Sequence, residues 1–309
     1  MQASAPQVNP EAAIFLLRAG ALRVEVCPEF GGRLLRFWSE TRQQPQWLHP
    51  ISHEEARNGQ HVRGGCFPLV PYSNRIRHAQ LARPEGDLQL SADPLGAPHA
   101  MHGPGWRRPW TVIKHGDGSL AMELMHRADR DWPFEFRAEQ FVRLRAGQLE
   151  LELRLHALAA QPMPAGLGWH PYFPDHGDVD LQLRARRDWP VPADVMPVGS
   201  VPLPVVQRLV HLRRHAPRDA LVRALSEWDG SAVLHWPSQG CALSLKASRL
   251  LRHVILFAPT DAPFLCVEPV SHAIDGFNLQ ARGLRNTGTR TLAPGQTLRA
   301  SLRMQPLER

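Results

Sequence analysis

The chain has 309 residues, of which 43% are hydrophobic and 21% charged, a composition typical of a globular protein with a substantial core. No apolar run approaches the roughly 20 residues that a membrane-spanning helix needs, so we expect no membrane segment. The formal net charge is +7, but the arginines are scattered and no basic block alternates with aromatic residues. Nucleic-acid binding is therefore not expected.

Residues 1–10 carry no basic stretch, and the apolar run that follows them is too short for a secretory signal, which predicts a cytoplasmic protein. The four cysteines lie far apart and show no metal-binding spacing; they are Cys27, Cys66, Cys241 and Cys266. We expect buried free thiols, and the sequence leaves a disulfide open as an alternative.

Alternation of apolar and polar residues is the main pattern along the chain, and it is typical of half-buried antiparallel strands. A first pair of strands is predicted at Leu22–Val26 and Arg33–Trp38, on either side of a turn at Gly31–Gly32. Four further alternating runs follow, at Leu149–Leu155, Val179–Ala185, Cys241–Leu245 and Leu298–Met304. Helical spacing stands out only in Ala220–Trp228, where it predicts a short helix or an irregular connection.

Prolines and glycines lie mostly between these runs, and no change of composition marks a domain boundary. Many short strands with long connections and few helices are typical of a large sandwich. We predict that residues 1–309 form a single all-β domain, a large antiparallel β-sandwich with few short helices.

Three segments combine reactive side chains with glycine and proline, and they are interpreted as loops held by a rigid scaffold; they span residues 64–77, 99–106 and 166–173. The first offers the N–H donors of Asn74 and Arg75, which suit sugar hydroxyls but could equally cap backbone carbonyls. The other two offer His102 and His170, each a candidate acid or base or a structural histidine.

A carboxylate comes from Glu268, which follows the apolar run Pro263–Val267 and precedes Pro269. An ionised glutamate is rarely buried without a partner, so Glu268 is either a functional base or the partner of an arginine. The chain has no phosphate-binding loop, no nucleophile elbow and no HExxH zinc motif. Acid–base chemistry without a cofactor or metal is the class of reaction that these residues predict.

Taken in chain order, these segments resemble the aldose 1-epimerase (galactose mutarotase) family. The matching pieces are Gly31–Leu34, residues 71–76 (Pro-Tyr-Ser-Asn-Arg-Ile), His102–Gly103, residues 168–173 (Gly-Trp-His-Pro-Tyr-Phe) and Glu268–Pro269. The resemblance implies a very large antiparallel sandwich with an open sugar cleft. Pro104 stands where a second glycine often follows the first histidine, which is similar to a divergent bacterial branch of the family.

The resemblance also implies roles for individual residues. Glu268 matches the family's base, His170 matches its general acid, and His102 matches the histidine that assists. Arg75 matches the arginine that contacts the sugar, with Asn74 beside it. Asp219 corresponds to an aspartate that binds sugar hydroxyls.

The expected reaction is interconversion of the α and β anomers of an aldose such as galactose or glucose. Glu268 would take the proton of the C1 hydroxyl, and a protonated His170 would deliver one to the ring oxygen. The expected partner is a monosaccharide, bound by a monomer or a homodimer. Alternatives are an epimerase of a phosphorylated or other anionic sugar, a non-catalytic carbohydrate-binding protein, and a structural or nucleic-acid-binding protein.

Overall fold

The structure is a computed structural model that describes residues 12–40, 45–58, 63–192, 194–207, 209–215 and 220–307. Its helical elements are short: α1 (His53–Arg57), α2 (Gly276–Ala281) and 3₁₀ turns at Arg77–Ala79, Val205–Gln207 and Pro237–Gln239. The strands are β1 (Phe15–Ala19), β2 (Leu22–Cys27), β3 (Arg33–Ser39), β4 (Cys66–Leu69), β5 (Arg75–Ile76), β6 (Gln80–Leu81), β7 (Leu88–Gln89), β8 (Ala100–Met101), β9 (Thr111–Gly116), β10 (Ser119–His126), β11 (Phe136–Arg145), β12 (Gln148–Ala157), β13 (Met163–Ala165), β14 (Gly168–Pro174), β15 (Asp178–Arg184), β16 (Arg187–Trp189), β17 (Val201–Pro202), β18 (Leu209–His215), β19 (Leu221–Ser226), β20 (Ser231–Trp236), β21 (Cys241–Ala247), β22 (His253–Ala258), β23 (Phe264–Val270), β24 (Arg290–Leu292) and β25 (Thr297–Leu307).

Two large antiparallel sheets make up most of the described chain. The first sheet has ten strands in the order β1-β2-β3-β4-β14-β23-β22-β19-β16-β17, and the second has nine in the order β18-β15-β20-β21-β25-β12-β11-β10-β9. They pack on a shared apolar core, in which the Trp169 indole of the first sheet donates a 3.0 Å hydrogen bond to the Gln140 side chain of the second. The predicted antiparallel β-sandwich is confirmed.

The pleat of the ten-stranded sheet separates two faces, because successive side chains of a strand point to opposite sides. In β14 and β23, Trp169, Phe173 and Val267 enter the core shared with the second sheet. Tyr172 and Cys266 instead join a second apolar cluster on the opposite face, formed with side chains of the connecting loops. His170 lies two residues from Tyr172, and Glu268 lies two residues from Cys266, so both point to the same side of the sheet as those residues. The candidate site therefore lies on this outer face.

The strands predicted from alternation are confirmed as β2, β3, β12, β15, β21 and β25. The short helix or irregular connection predicted within Ala220–Trp228 is wrong, because Leu221–Ser226 forms β19 between β16 and β22. In this strand Ala224 faces the outer cluster while Leu225 faces the shared core. A strand covered on both faces loses period-two alternation, and the spacing of its apolar residues can then imitate a helix.

The segment at residues 166–173 is likewise not the loop that its glycines and prolines predicted. Residues Gly168–Pro174 form β14, a central strand that is buried at every position. The prediction that the cysteines are buried free thiols is confirmed for all four of them. None of the helices described here is long and apolar enough to cross a membrane.

Candidate active site

His170 and Glu268 face each other across two neighbouring central strands. Gly168 pairs with Val270 and Tyr172 with Cys266, and this register puts His170 opposite Glu268. The His170 Nε2 atom lies 3.3 Å from Glu268 Oε1, and the two residues are only 6% and 2% exposed. Glu268 lies inside β23. The fold therefore brings the predicted acid and the predicted base into direct contact.

Burial acts on both members of this pair in the direction that removes charge. It raises the pKa of Glu268 to about 8, although the positive charge of Arg75 opposes the rise. It lowers the pKa of His170 to about 3, with a further decrease from the charge of Arg33. Both shifts favour the uncharged forms, a carboxylic acid beside a neutral imidazole, rather than the expected protonated His170.

Two atoms of the pair face away from the contact that joins them. Nδ1 of His170 and Oε2 of Glu268 are buried and have no hydrogen-bond partner among the described residues. A neutral imidazole whose Nε2 accepts the Glu268 proton carries its own proton on Nδ1. The pair therefore keeps one nitrogen and one carboxyl oxygen that no other described group satisfies.

His102 and Asn74 are joined by two hydrogen bonds beside this pair. The Asn74 N–H donates to His102 Nδ1 at 3.0 Å, and the His102 N–H donates to the Asn74 carbonyl oxygen at 2.9 Å. Both residues adopt positive φ angles, 57° for Asn74 and 63° for His102. Burial and the charges of nearby groups lower the pKa of His102 well below its usual range. Its Nδ1 accepts, so the neutral ring presents an Nε2–H donor.

Gly103 is required where it stands, directly after His102. Its φ is +68°, and a Cβ atom at this position would lie 2.6 Å from the Val70 carbonyl oxygen. Only glycine avoids both the backbone strain and the clash. The turn thus approaches Val70 closely enough to bring the His102 ring centroid within 5.4 Å of that of His170.

Arg75 lies next to the same turn, because it pairs with Met101 in the short ladder of β5 and β8. Its side chain is half-buried, and its charge lowers the pKa of Glu268. Among the described residues its guanidinium makes no hydrogen bond, which leaves it suited to hold a substrate oxygen. The Oδ1 atom of Asn74 accepts the Arg75 N–H at 2.9 Å, which leaves the predicted amide donor of its side chain uncommitted by this bond.

Asp219, the predicted hydroxyl-binding aspartate, lies outside the described residues. No cluster of His, Cys, Asp or Glu side chains that could hold a metal ion occurs in the described ranges.

Aromatic rings support the His170 imidazole from two sides. Its centroid lies 4.7 Å from that of Phe67 and 4.6 Å from that of Tyr172. Behind Phe67, the buried guanidinium of Arg33 lies 4.4 Å from the ring centroid, and Trp106 stacks on the ring at 5.2 Å. Such packing fixes the orientation of the imidazole.

A sequence profile of the aldose 1-epimerase family matches residues 14–305, nearly the whole chain. This protein belongs to the aldose 1-epimerase family. Among its relatives, the uncharacterized protein YphB of Escherichia coli strain K12 is 28% identical over 302 residues, covering 94% of this chain and 99% of YphB. Family membership supports an enzyme of the isomerase type.

Solved structures of similar proteins agree with this assignment. A crystal structure from Escherichia coli K12, provisionally assigned as an aldose 1-epimerase, superimposes on this family member with a TM-score of 0.82 at 26% identity, covering 96% of this chain and 99% of that one. The galactose 1-epimerase of Lactobacillus acidophilus NCFM shares the fold, with a TM-score of 0.73 at 14% identity over 94% of this chain and 92% of its own.

Several buried polar residues in or near the candidate site were given no role from the sequence. Arg33 was noted only as part of a matching segment, although it is one of the largest fully buried side chains. His272 and Asp275, both buried after β23, were not assigned any role. A charged residue directly after Gly31–Gly32 at the start of a strand was the available signal for Arg33. No local pattern distinguishes His272 from the other histidines.

Proposed function

We propose that this aldose 1-epimerase family member is a mutarotase that interconverts the α and β anomers of an aldose such as galactose or glucose. The observation that carries the proposal is the buried contact of 3.3 Å between His170 and Glu268, with the His102 ring near that of His170 and the Arg75 charge acting on Glu268. A buried acid–base pair with perturbed pKa values, beside hydrogen-bond donors, is typical of proton-transfer sites.

Mutarotation requires two proton transfers on one sugar ring. The C1 hydroxyl loses its proton, the ring oxygen gains one, and the C1–O5 bond breaks as the C1 carbonyl forms. Rotation about the C1–C2 bond then presents the other face of C1, and the reverse transfers close the ring. A carboxyl group and an imidazole are sufficient for this chemistry, and each positioned acid or base typically contributes ~10²–10⁴ in rate.

The unsatisfied atoms of the pair suit a cyclic transfer, provided that sugar binding opens access to His170 Nδ1 and Glu268 Oε2, which are buried in the free protein. His170 Nδ1–H would donate to the ring oxygen while His170 Nε2 takes the Glu268 proton. The Glu268 carboxylate formed in this way would take the C1 hydroxyl proton through Oε2. The number of protons on the enzyme is unchanged by these transfers. The His170 imidazole has changed from one neutral tautomer to the other, and the reverse transfers of ring closure restore the first tautomer.

His102 and Arg75 would hold the substrate during these transfers. The Nε2–H of His102 is a fixed neutral donor that can orient or polarise the ring oxygen. The Arg75 guanidinium can bind a hydroxyl and stabilise Glu268 while it is ionised. Asn74 and Asp219 remain predicted hydroxyl ligands, and a cytoplasmic location and a monomer or homodimer remain predictions.

The test is polarimetry on freshly dissolved α-galactose and α-glucose, with wild-type protein and with Glu268→Gln. We expect faster approach to the anomeric equilibrium with wild type and a loss of ~10²–10⁴ in rate with Glu268→Gln. Glu123→Gln, a substitution in β10 of the other sheet, is the matched control and should match wild type. Full activity of Glu268→Gln would contradict the proposed role.

A second candidate is an anionic sugar, favoured by the Arg75 guanidinium, which has no hydrogen-bond partner among the described residues. Glucose 6-phosphate in the same assay separates the two substrates. Acceleration of its anomerisation with no effect on either neutral sugar would replace the neutral aldose by a phosphorylated one. Sugar binding without any acceleration would indicate a carbohydrate-binding protein.

A further inference from the structure

His272 is buried, 2% exposed, and joins two segments that are far apart in the sequence. The Ser73 N–H donates to His272 Nε2 at 3.1 Å, and His272 Nδ1 lies 2.8 Å from the Ala273 carbonyl oxygen. A carbonyl oxygen only accepts, so Nδ1 carries the proton and Nε2 is the acceptor. Burial lowers the pKa of His272 to about 4, which keeps the ring neutral and in this single tautomer.

The place that His272 occupies is narrow. A Cβ atom on Gly166 would lie 2.1 Å from Cδ2 of His272, so no side chain at position 166 is compatible with the imidazole. Gly166 itself donates a 2.6 Å hydrogen bond to the Pro71 carbonyl oxygen, just before Ser73. The imidazole thus packs tightly between the start of β14 and the chain that leads to Arg75.

Asp275 contacts the backbone on the C-terminal side of Arg75, whereas His272 contacts it on the N-terminal side. The Asp275 N–H donates to the Arg75 carbonyl oxygen at 3.0 Å, and its Oδ1 accepts the Arg77 N–H at 3.0 Å. Asp275 is buried and has a φ of 56°. His272 and Asp275 together therefore fix the backbone immediately before and after Arg75, and both follow directly on the strand that carries Glu268.

We propose that His272, with Asp275, is a positioning residue that sets the place of the Arg75 guanidinium relative to Glu268. The inference rests on the proposed function, in which Arg75 binds the sugar. The Arg75 side chain makes no hydrogen bond of its own among the described residues, so its position depends on where the backbone places its Cα atom. The segment after β23 thereby ties the backbone of the sugar-binding arginine to the strand that carries the base.

The experiment replaces the imidazole by a ring of similar size that cannot accept a hydrogen bond. His272→Phe should raise KM about tenfold and change kcat less than about threefold, because binding is weakened while the proton-transfer pair is intact. His272→Gln, whose side-chain oxygen can accept the Ser73 N–H, should return KM to within about threefold of wild type. If His272→Phe has a wild-type KM, or Gln does not restore it, the proposal is wrong.

The matched control is His253→Phe. His253 is also buried, and its pKa is lowered to about 3 by burial and by the charge of the nearby His272. Its Nε2 lies 3.2 Å from the Asn286 carbonyl oxygen, and within the described residues no hydrogen bond joins it to Ser73 or Arg75. A purely structural loss of a buried histidine would act alike in both variants. We expect His253→Phe to lower stability and leave KM unchanged, so an equal rise in KM would contradict the proposal.

A double variant tests whether His272 acts through Arg75. In an Arg75→Ala background, His272→Phe should cause no further rise in KM, because its effect requires the guanidinium. Additive effects would contradict the proposal. If His272→Phe does not fold, Asp275→Ala takes its place in the same cycle, with the same expected non-additivity.

Amide hydrogen exchange separates this proposal from the proposed function. His272→Phe should speed exchange of the Ser73 amide by about tenfold or more, while His253→Phe leaves it unchanged. Wild-type protein that accelerates no sugar would remove the proposed function, and the exchange result would still report whether His272 fixes this backbone. Unchanged exchange in His272→Phe would overturn the proposal whatever the activity.

Discussion

The candidate site contains two groups of residues that reach their positions by different means. The strand-borne pair, His170 and Glu268, lies on the central strands β14 and β23, where the register of the sheet alone sets their separation. The turn-borne group, Asn74, Arg75 and His102, lies on short segments with positive φ angles at Asn74 and His102. Backbone N–H groups of this second group and its neighbours donate to side chains that hold them, namely those of His102, His272 and Asp275.

This difference indicates which residues of the site must be placed most accurately. Proton transfer tolerates little error in distance, and a central strand is one of the least deformable places in a protein. Substrate-binding groups must reach around a ligand, which turns permit if they are fixed by other contacts. The strand-borne pair is therefore expected to govern kcat, and the turn-borne group to govern KM.

Removing His170 acts on the strand-borne pair and should have the largest effect. His170→Asn takes away both ring nitrogens of the proposed transfer, so kcat should fall by ~10²–10⁴ with little change in sugar affinity. Polarimetry gives kcat, and isothermal titration with galactose gives the affinity. A wild-type kcat would show that Glu268 works without the imidazole.

Removing Arg75 acts on the turn-borne group. Arg75→Ala loses charge-assisted hydrogen bonds worth about 1.5–3 kcal/mol, so KM should rise roughly 10–100-fold while kcat falls much less. Arg75→Lys keeps the charge and should recover part of the loss. A fall in kcat equal to that of His170→Asn would remove the functional distinction between the two groups.

The pH dependence sharpens the roles within the strand-borne pair. The proposed transfer starts with the proton on Glu268, whose pKa is raised to about 8. Above that pH the proton is lost, and kcat/KM should fall about tenfold per pH unit. The low pKa of His170, about 3, predicts no loss of activity between pH 5 and 7 from this residue. A rate that rises through pH 8 would instead indicate that the free enzyme acts with an ionised Glu268.

The smallest expected effect concerns stability. Because the folded pKa of Glu268 is raised from 4.5 to about 8, this group contributes stability that is fully present below pH 4.5 and is lost as pH rises through 8. Glu268→Gln lacks this dependence. Its free energy of unfolding relative to wild type should increase from pH 5 to pH 8 by on the order of a few kcal/mol, measured by urea denaturation. An unchanged difference would mean that Glu268 is not desolvated in solution.

The sequence by itself determined the fold class and the family. Strands with one face toward the core, such as β12 and β25, show clean alternation, because one side of each pleat meets polar surroundings. The order of the motifs around Asn74, His102, His170 and Glu268 was also sufficient to predict the family, which the match over residues 14–305 confirms.

Only the tertiary structure decided how these residues work together. Strands β14 and β19 escaped prediction because neighbours on both faces remove the alternation that reveals a strand. The contact between His170 and Glu268 depends on strand register, and the tautomers of His102 and His272 depend on partners far away in the chain. Protonation states follow from burial and from neighbouring charges, and both exist only once the chain is folded.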